Sequence, residues 1–156
     1  MVDPVAVIGA ATAAVALFDK IADQVERFIT KRPLSDVPAQ HRMSIKEKNG
    51  AIVATENGRE TQQITGEDLN RLPTELLDHV RVYERSMANH YTVWSSAYPE
   101  LALLDSPIQK ARVEGQLAEV VRAMKVDLDG ILGFLESAGI SLDDHYRHIR
   151  QLVNDY

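Results

Sequence analysis

The chain has 156 residues, no cysteine and a formal net charge of −6. That length suits one domain, 1–156, with a real core, and the lack of cysteine excludes disulfides and thiol chemistry and fits a reducing cytoplasmic setting. The acidic balance speaks against nucleic acid as a partner, because no excess of cations is present to neutralise phosphates. The charge is uneven: residues 1–30 carry net −2, 31–66 net +2 and 67–156 net −6. The last part therefore reads as a solvated acidic helical surface.

The first element is one long helix over 4–30. Asp3 is a good N-cap, and Pro4 fits the first helical position, where its missing N–H leaves nothing unpaired. Pro4, Ile8, Ala11, Val15, Phe18, Ala22, Val25 and Ile29 recur at alternating spacings of four and three, which makes a core seam. Val7, Ala14, Leu17, Ile21 and Phe28 widen it. Charge starts only at Asp19, so the second half is an ordinary amphipathic helix. The first half has no wet face beyond Thr12 and small residues.

Two fates are open to that first half. The uncharged run from Pro4 to Phe18 is shorter than the roughly 20 residues a spanning helix needs. With Asp3 and no Lys or Arg ahead of it, the run is also a poor signal peptide. Gly9 with Ala13, and Ala10 with Ala14, form small-xxx-small pairs, which permit close helix approach in membranes and in soluble bundles alike. The opening itself, Met, an acid two residues on, Pro, then small and apolar residues, resembles N-terminal helices of some fungal and bacterial cell-death and defence effectors. That resemblance covers about 25 residues and implies a role in a defence or signalling system.

A connector follows over 31–40, where Pro33 and Pro38 bias their preceding residues away from helix. Residues 41–65 read as a two- or three-stranded antiparallel meander. Met43 and Ile45 alternate, Asn49-Gly50 is a two-residue hairpin signal, Ile52 and Val53 sit on the return strand, and Asn57-Gly58 marks a second turn. So polar and small a ribbon needs helices to lean on. Thr65 caps a short turn with Glu67 and Asp68 at its start. A helix over 73–96 carries the seam Leu76, Val80, Tyr83, Met87, His90, Trp94. Another over 107–138, opened by Ser106 and Pro107, carries Leu117, Val121, Met124, Leu128, Ile131, Leu135. Gly139 suits a left-handed stop with Ile140 folding back. Gly130 and Gly133 each weaken this helix by roughly 1 kcal/mol unless a close neighbour needs the room. A final helix over 141–154 has Ser141 as cap and Asp144 at the capping-box position.

Few residues suggest chemistry. Asp144, His145 and His148 lie close enough along a helix to share a metal if a further ligand came from His79 or His90. Against this stand the cap role of Asp144 and an Asp143–Arg147 pair at i,i+4. Arg85-Ser-Met-Ala-Asn-His90 resembles the Arg-x4-His pattern of HEPN-type ribonucleases, which are all-helical. The resemblance implies that Arg85 and His90 would act at a dimer interface to help a ribose 2′-hydroxyl attack the adjacent phosphate. Ser86 departs from the Asn, Asp or His often found after that arginine, and the seam position of His90 beside Met87 and Trp94 makes a packed, hydrogen-bonded core histidine the better reading. Asp127 and Asp129 flank Leu128 and point apart. Asp19 and Asp23 lie one turn apart but lack a third acid. The sequence holds no phosphate loop, serine nucleophile elbow or dinucleotide fingerprint, and so suggests no cofactor.

The expectation is a mainly α protein, a bundle of about four helices with coiled-coil-like seams and a small antiparallel β-meander inserted after the first helix. The leading function is a non-catalytic interaction or oligomerisation module of a bacterial defence or signalling system. It would act through Val5, Ile8, Gly9, Ala13, Val15 and Phe18 on a second copy or a protein partner. A membrane-targeting or pore-forming effector using residues 4–18 is the second reading, and an HEPN-like ribonuclease the third.

Overall fold

The computed structural model describes residues 3–31, 43–56 and 58–156. All of the connector expected over 31–40 except Lys31, the first residues of the expected meander and Asn57 lie outside the described residues. Helix α1 spans Pro4–Thr30, with the Asp3 carboxylate accepting from the Val5 N–H at 3.0 Å and Pro4 in the first turn. Its end is marked by an unexpected residue. Lys31 takes the left-handed conformation, φ 57°, and its N–H turns back to the carbonyls of Arg27 and Phe28. No glycine announces that stop.

Strands β1 (Met43–Lys48), β2 (Ala51–Glu56) and β3 (Arg59–Ile64) form an antiparallel sheet in the order β1-β2-β3. Asn49 and Gly50 both have positive φ, 54° and 76°, and Lys48 pairs with Ala51 across them. That is the two-residue turn the Asn-Gly signal calls for. The Glu47 carboxylate accepts from the Gly50 N–H at 2.8 Å. A register shift at Ala54/Thr55 marks a bulge. Met43, Ile52 and Ile64 carry one strand each into the hydrophobic core, which answers the need for helical support. Gln62 ties the sheet to the far end of the bundle: its amide donates to the Gly139 carbonyl and accepts from the Ser141 N–H.

After a short helix α2 (Gly66–Asn70), capped by Thr65, come α3 (Thr74–Ala97), a 3-10 turn (Tyr98–Ala102) and α4 (Pro107–Ser137). α3 and α4 cross closely at Gly130, where an added Cβ would lie 2.2 Å from the Tyr83 ring. This is the neighbour that needs the room; Gly133 has none within 4 Å. Trp94 is fully buried and donates from Nε1 to the Gln24 side chain of α1 at 2.8 Å. α4 ends as its sequence suggests: Gly139 has φ 95°, the Ile140 N–H reaches the Leu135 carbonyl at 3.0 Å, and Ile140 is buried.

The last helix differs from expectation. α5 spans Asp144–Asp155, and its cap is Asp143, whose carboxylate accepts from the Tyr146 N–H at 2.9 Å. Ser141 does not cap it: the helix starts only at Asp144, Leu142 is pulled into the core, and the Ser141 N–H that a capping box would offer to Asp144 is taken by Gln62. Arg147 pairs with Asp144, three residues back, and not with Asp143. Asp143 is buried in its cap. α5 docks on α1 through Tyr146, whose ring lies 4.1 Å from that of Phe18 and whose hydroxyl donates to Asp19 at 2.9 Å. The whole is mainly α with a meander inserted after the first helix, and one apolar cluster draws on every helix and every strand.

Candidate functional site

α1 has two faces of different character. Val7, Ile8, Ala11, Ala14, Val15, Phe18, Ile21, Ala22 and Val25 are buried. They face the sheet, α3, α4 and α5, so the long apolar side chains are already used inside the chain. The opposite face is exposed at Val5, Gly9, Thr12, Ala13 and Ala16. These positions recur three and four apart and make one stripe along about three turns. Val5 is 73% exposed, and a Cβ on Gly9 would meet nothing within 4 Å. The Thr12 hydroxyl donates to the Ile8 carbonyl at 2.8 Å, so the helix itself satisfies the one polar side chain on the stripe. The first charge on this face is Lys20. Of the six interaction residues expected from sequence, Ile8, Val15 and Phe18 therefore belong to the core, while Val5, Gly9 and Ala13 lie on the open stripe. Thr12 and Ala16 complete it, and the helical period of the exposed positions would have found them.

The second arrangement lies between α3 and α4. Asp127 is buried, and one carboxylate oxygen accepts from the Ser86 hydroxyl at 2.8 Å and meets His90 Nδ1 at 2.9 Å. His90 is about one-third exposed on its side chain and lines a shallow groove with Val93, Val120 and Ala123. Arg85 lies five residues before His90, about 140° round the helix, and is exposed. The pair is thus split between two faces of α3, with His90 oriented by Asp127. Sequence reasoning read Asp127 only as half of an acid pair. Its seven-residue spacing from Val120 and Phe134 places it on the α3-facing side and is the signal that was there to read. Asp129 faces α5, where it accepts from Arg150 and Asn154, both at 3.2 Å. Arg150 also holds Glu136 at 2.6 Å; burial lowers its pKa, but these carboxylate bonds outweigh that and raise it.

At the start of α5, Asp144 is tied to Arg147, His145 packs edge-on to Phe18 with centroids 6.5 Å apart, and His148 is exposed. Among the described residues no three His, Cys, Asp or Glu side chains converge in a way that could hold a metal ion. His79 and His90 therefore complete no site with Asp144, His145 and His148. Tyr146 has its phenol pKa pushed far up, first by burial and then by the charge of Asp19 and the hydrogen bond to it, so it stays a donor. At the centre of the bundle a void of about 20 Å³ is lined wholly by apolar side chains of α1, α3, α4 and α5. It has room for no substrate, and an apolar void of that size stays dry.

These features define a class: a mainly α bundle organised around its N-terminal helix, with one uncharged outward stripe on that helix and, among the described residues, no cluster that could hold a metal ion. No family model, no curated protein and no solved structure matches the chain.

Proposed function

We propose that the protein is a non-catalytic interaction module that joins a second copy or a partner helix through the outward stripe of α1, in a bacterial defence or signalling setting and in the cytoplasm. The observation that supports this is the stripe from Val5 to Ala16: solvent-facing, uncharged and free of long side chains. Small residues let two backbones approach closely, and the contact needs no rearrangement of the fold. Sedimentation equilibrium tests it. Wild type is expected to associate with rising concentration, and Gly9→Asp and Ala13→Glu to stay monomeric with unchanged helicity. A wild-type chain that is monomeric into the millimolar range removes self-association.

A specific observation favours one second reading, membrane insertion of α1. Its most apolar 18-residue window has mean hydropathy 1.8, and only 44% of that window is buried. In this reading α1 leaves the bundle, so Gly9→Asp, at a position where an added Cβ meets nothing within 4 Å in the folded chain, would abolish vesicle leakage. A wild-type protein that neither binds nor leaks vesicles eliminates it.

A further inference from the structure

The end of the bundle where α1 stops holds a cleft of about 540 Å³ that neither reading above uses. Three aromatic rings line it, Phe28 from α1, Tyr98 from the 3-10 turn and Tyr156 at the end of α5, together with the aliphatic Ile29, Leu101 and Ala102. Two of the rings, Tyr98 and Phe28, are held by packing on Trp94. Tyr98 stacks on Trp94 with centroids 5.0 Å apart and planes 21° apart. Phe28 stands edge-on to the same Trp94 at 5.3 Å and 87°, and Tyr156 lies 6.2 Å from Phe28. Trp94 is held in turn by Gln24. Walls set in advance lose little freedom when a ligand arrives. Burial raises the Tyr98 pKa, although the Arg27 charge opposes it, so its hydroxyl is neutral.

Two charged side chains also line the cleft, Glu114 and Lys31, one of each sign. Aromatic faces attract cations, and one of these rings already does so: the Arg122 guanidinium sits 5.4 Å over Tyr156. Among the described residues the cleft offers aromatic rings, aliphatic side chains and one carboxylate. A quaternary ammonium spreads its charge over methyl groups that pack against rings and needs no hydrogen-bond acceptor, so aromatic walls suit it. Lys31 supplies the complementary charge for an anion on the same molecule. The volume falls in the usual range for small-molecule sites.

We propose that this cleft binds a small zwitterion of the phosphocholine type, with its trimethylammonium against Phe28, Tyr98, Tyr156 and Glu114 and its phosphate against Lys31. The ligand is either free in solution or the headgroup of a phosphatidylcholine bilayer.

Trp94 is the only tryptophan in the chain and touches two of the walls, so its emission reports occupancy. Free phosphocholine is expected to change that emission saturably. Choline alone and inorganic phosphate alone should each bind at least about tenfold more weakly. Glu114→Gln and Lys31→Met should each weaken phosphocholine by about tenfold with an unchanged circular dichroism spectrum. The oligomerisation variant Ala13→Glu should bind as wild type does, which separates this site from the α1 stripe. Phosphatidylcholine vesicles that bind, with free phosphocholine competing, identify the headgroup as the source. Binding of phosphocholine without vesicle binding identifies the soluble ligand. A folded wild-type protein that responds to neither, or a Glu114→Gln variant that binds with wild-type affinity, overturns the proposal.

Discussion

Gly130 and Gly133 stand three residues apart on α4 and have opposite surroundings. A methyl at 130 would overlap the Tyr83 ring, while a methyl at 133 would meet open space. Alanine is favoured over glycine in a helix by about 1 kcal/mol, and overpacking costs about 1–3 kcal/mol. Gly133→Ala should therefore raise the denaturation midpoint and Gly130→Ala lower it, with a Tyr83→Ala background cancelling the second effect. Urea titrations of the four variants check this; equal shifts from both alanines would mean that the Tyr83 contact carries no strain. Glu84 on α3 is a second single-residue case. One of its carboxylate oxygens is buried without a hydrogen-bond partner, and burial raises its pKa above 4.5 despite the opposing charge of Arg81. The fold then holds this proton to a higher pH than the unfolded chain does. Stability contributed by the neutral form is present below 4.5 and is lost as pH rises through the folded pKa. Glu84→Gln should thus melt above wild type at pH 7 and level with it at pH 4. A wild-type melting point higher at pH 7 than the variant's reverses the sign.

At the scale of elements, what was legible followed local rules. Asp3 with Pro4, Ser106 with Pro107, and Thr65 each cap the helix they announce, because a cap depends on residues within one turn. Asn49-Gly50 sets its hairpin for the same reason. The four-three seams placed α1, α3 and α4 to within a residue or two, and Val80, Met87, Trp94, Leu117, Val121 and Leu135 are all buried. The misses are tertiary. The cap of α5 is Asp143 and not Ser141, in a stretch placed by distant contacts: Gln62, 79 residues away in sequence, takes the Ser141 N–H, and Leu142 is buried in the core. Lys31 adopts a left-handed stop that its side chain does not favour. Asp127 reads in sequence only as one of two acids flanking Leu128, yet its partners Ser86 and His90 come from another helix. In the α1 stripe, sequence supplied the residues but not the side. A helix apolar all round gives no wet face from which to infer the buried one, so Ile8, Val15 and Phe18 were grouped with Val5, Gly9 and Ala13.

At the scale of the molecule, the burial of α1 decides how its two proposed roles compare. Val7, Ile8, Val15, Phe18, Ile21 and Val25 are six sizeable side chains within the common core. At about 1.5–3 kcal/mol each, their burial is worth about 9–18 kcal/mol, as much as the whole stability of a typical domain. A contact through the outward stripe leaves that intact. Insertion into lipid would rebury these side chains but strand the surfaces of the sheet, α3, α4 and α5 that faced them, so it requires a bilayer or partner to make up the difference. The energetic consequence is open to test without either. A chain beginning at Arg32 keeps four of the five described helices and all three strands, yet it loses the helix around which they pack. It should show a collapsed proton spectrum without dispersed methyl signals and no cooperative melting. Added back in trans as a peptide, residues 3–31 should restore both, whereas the same peptide with Phe18→Asp should not. A cooperatively folded 32–156 chain would mean that α1 is a detachable appendage, and lipid insertion would then be the less demanding of its two roles.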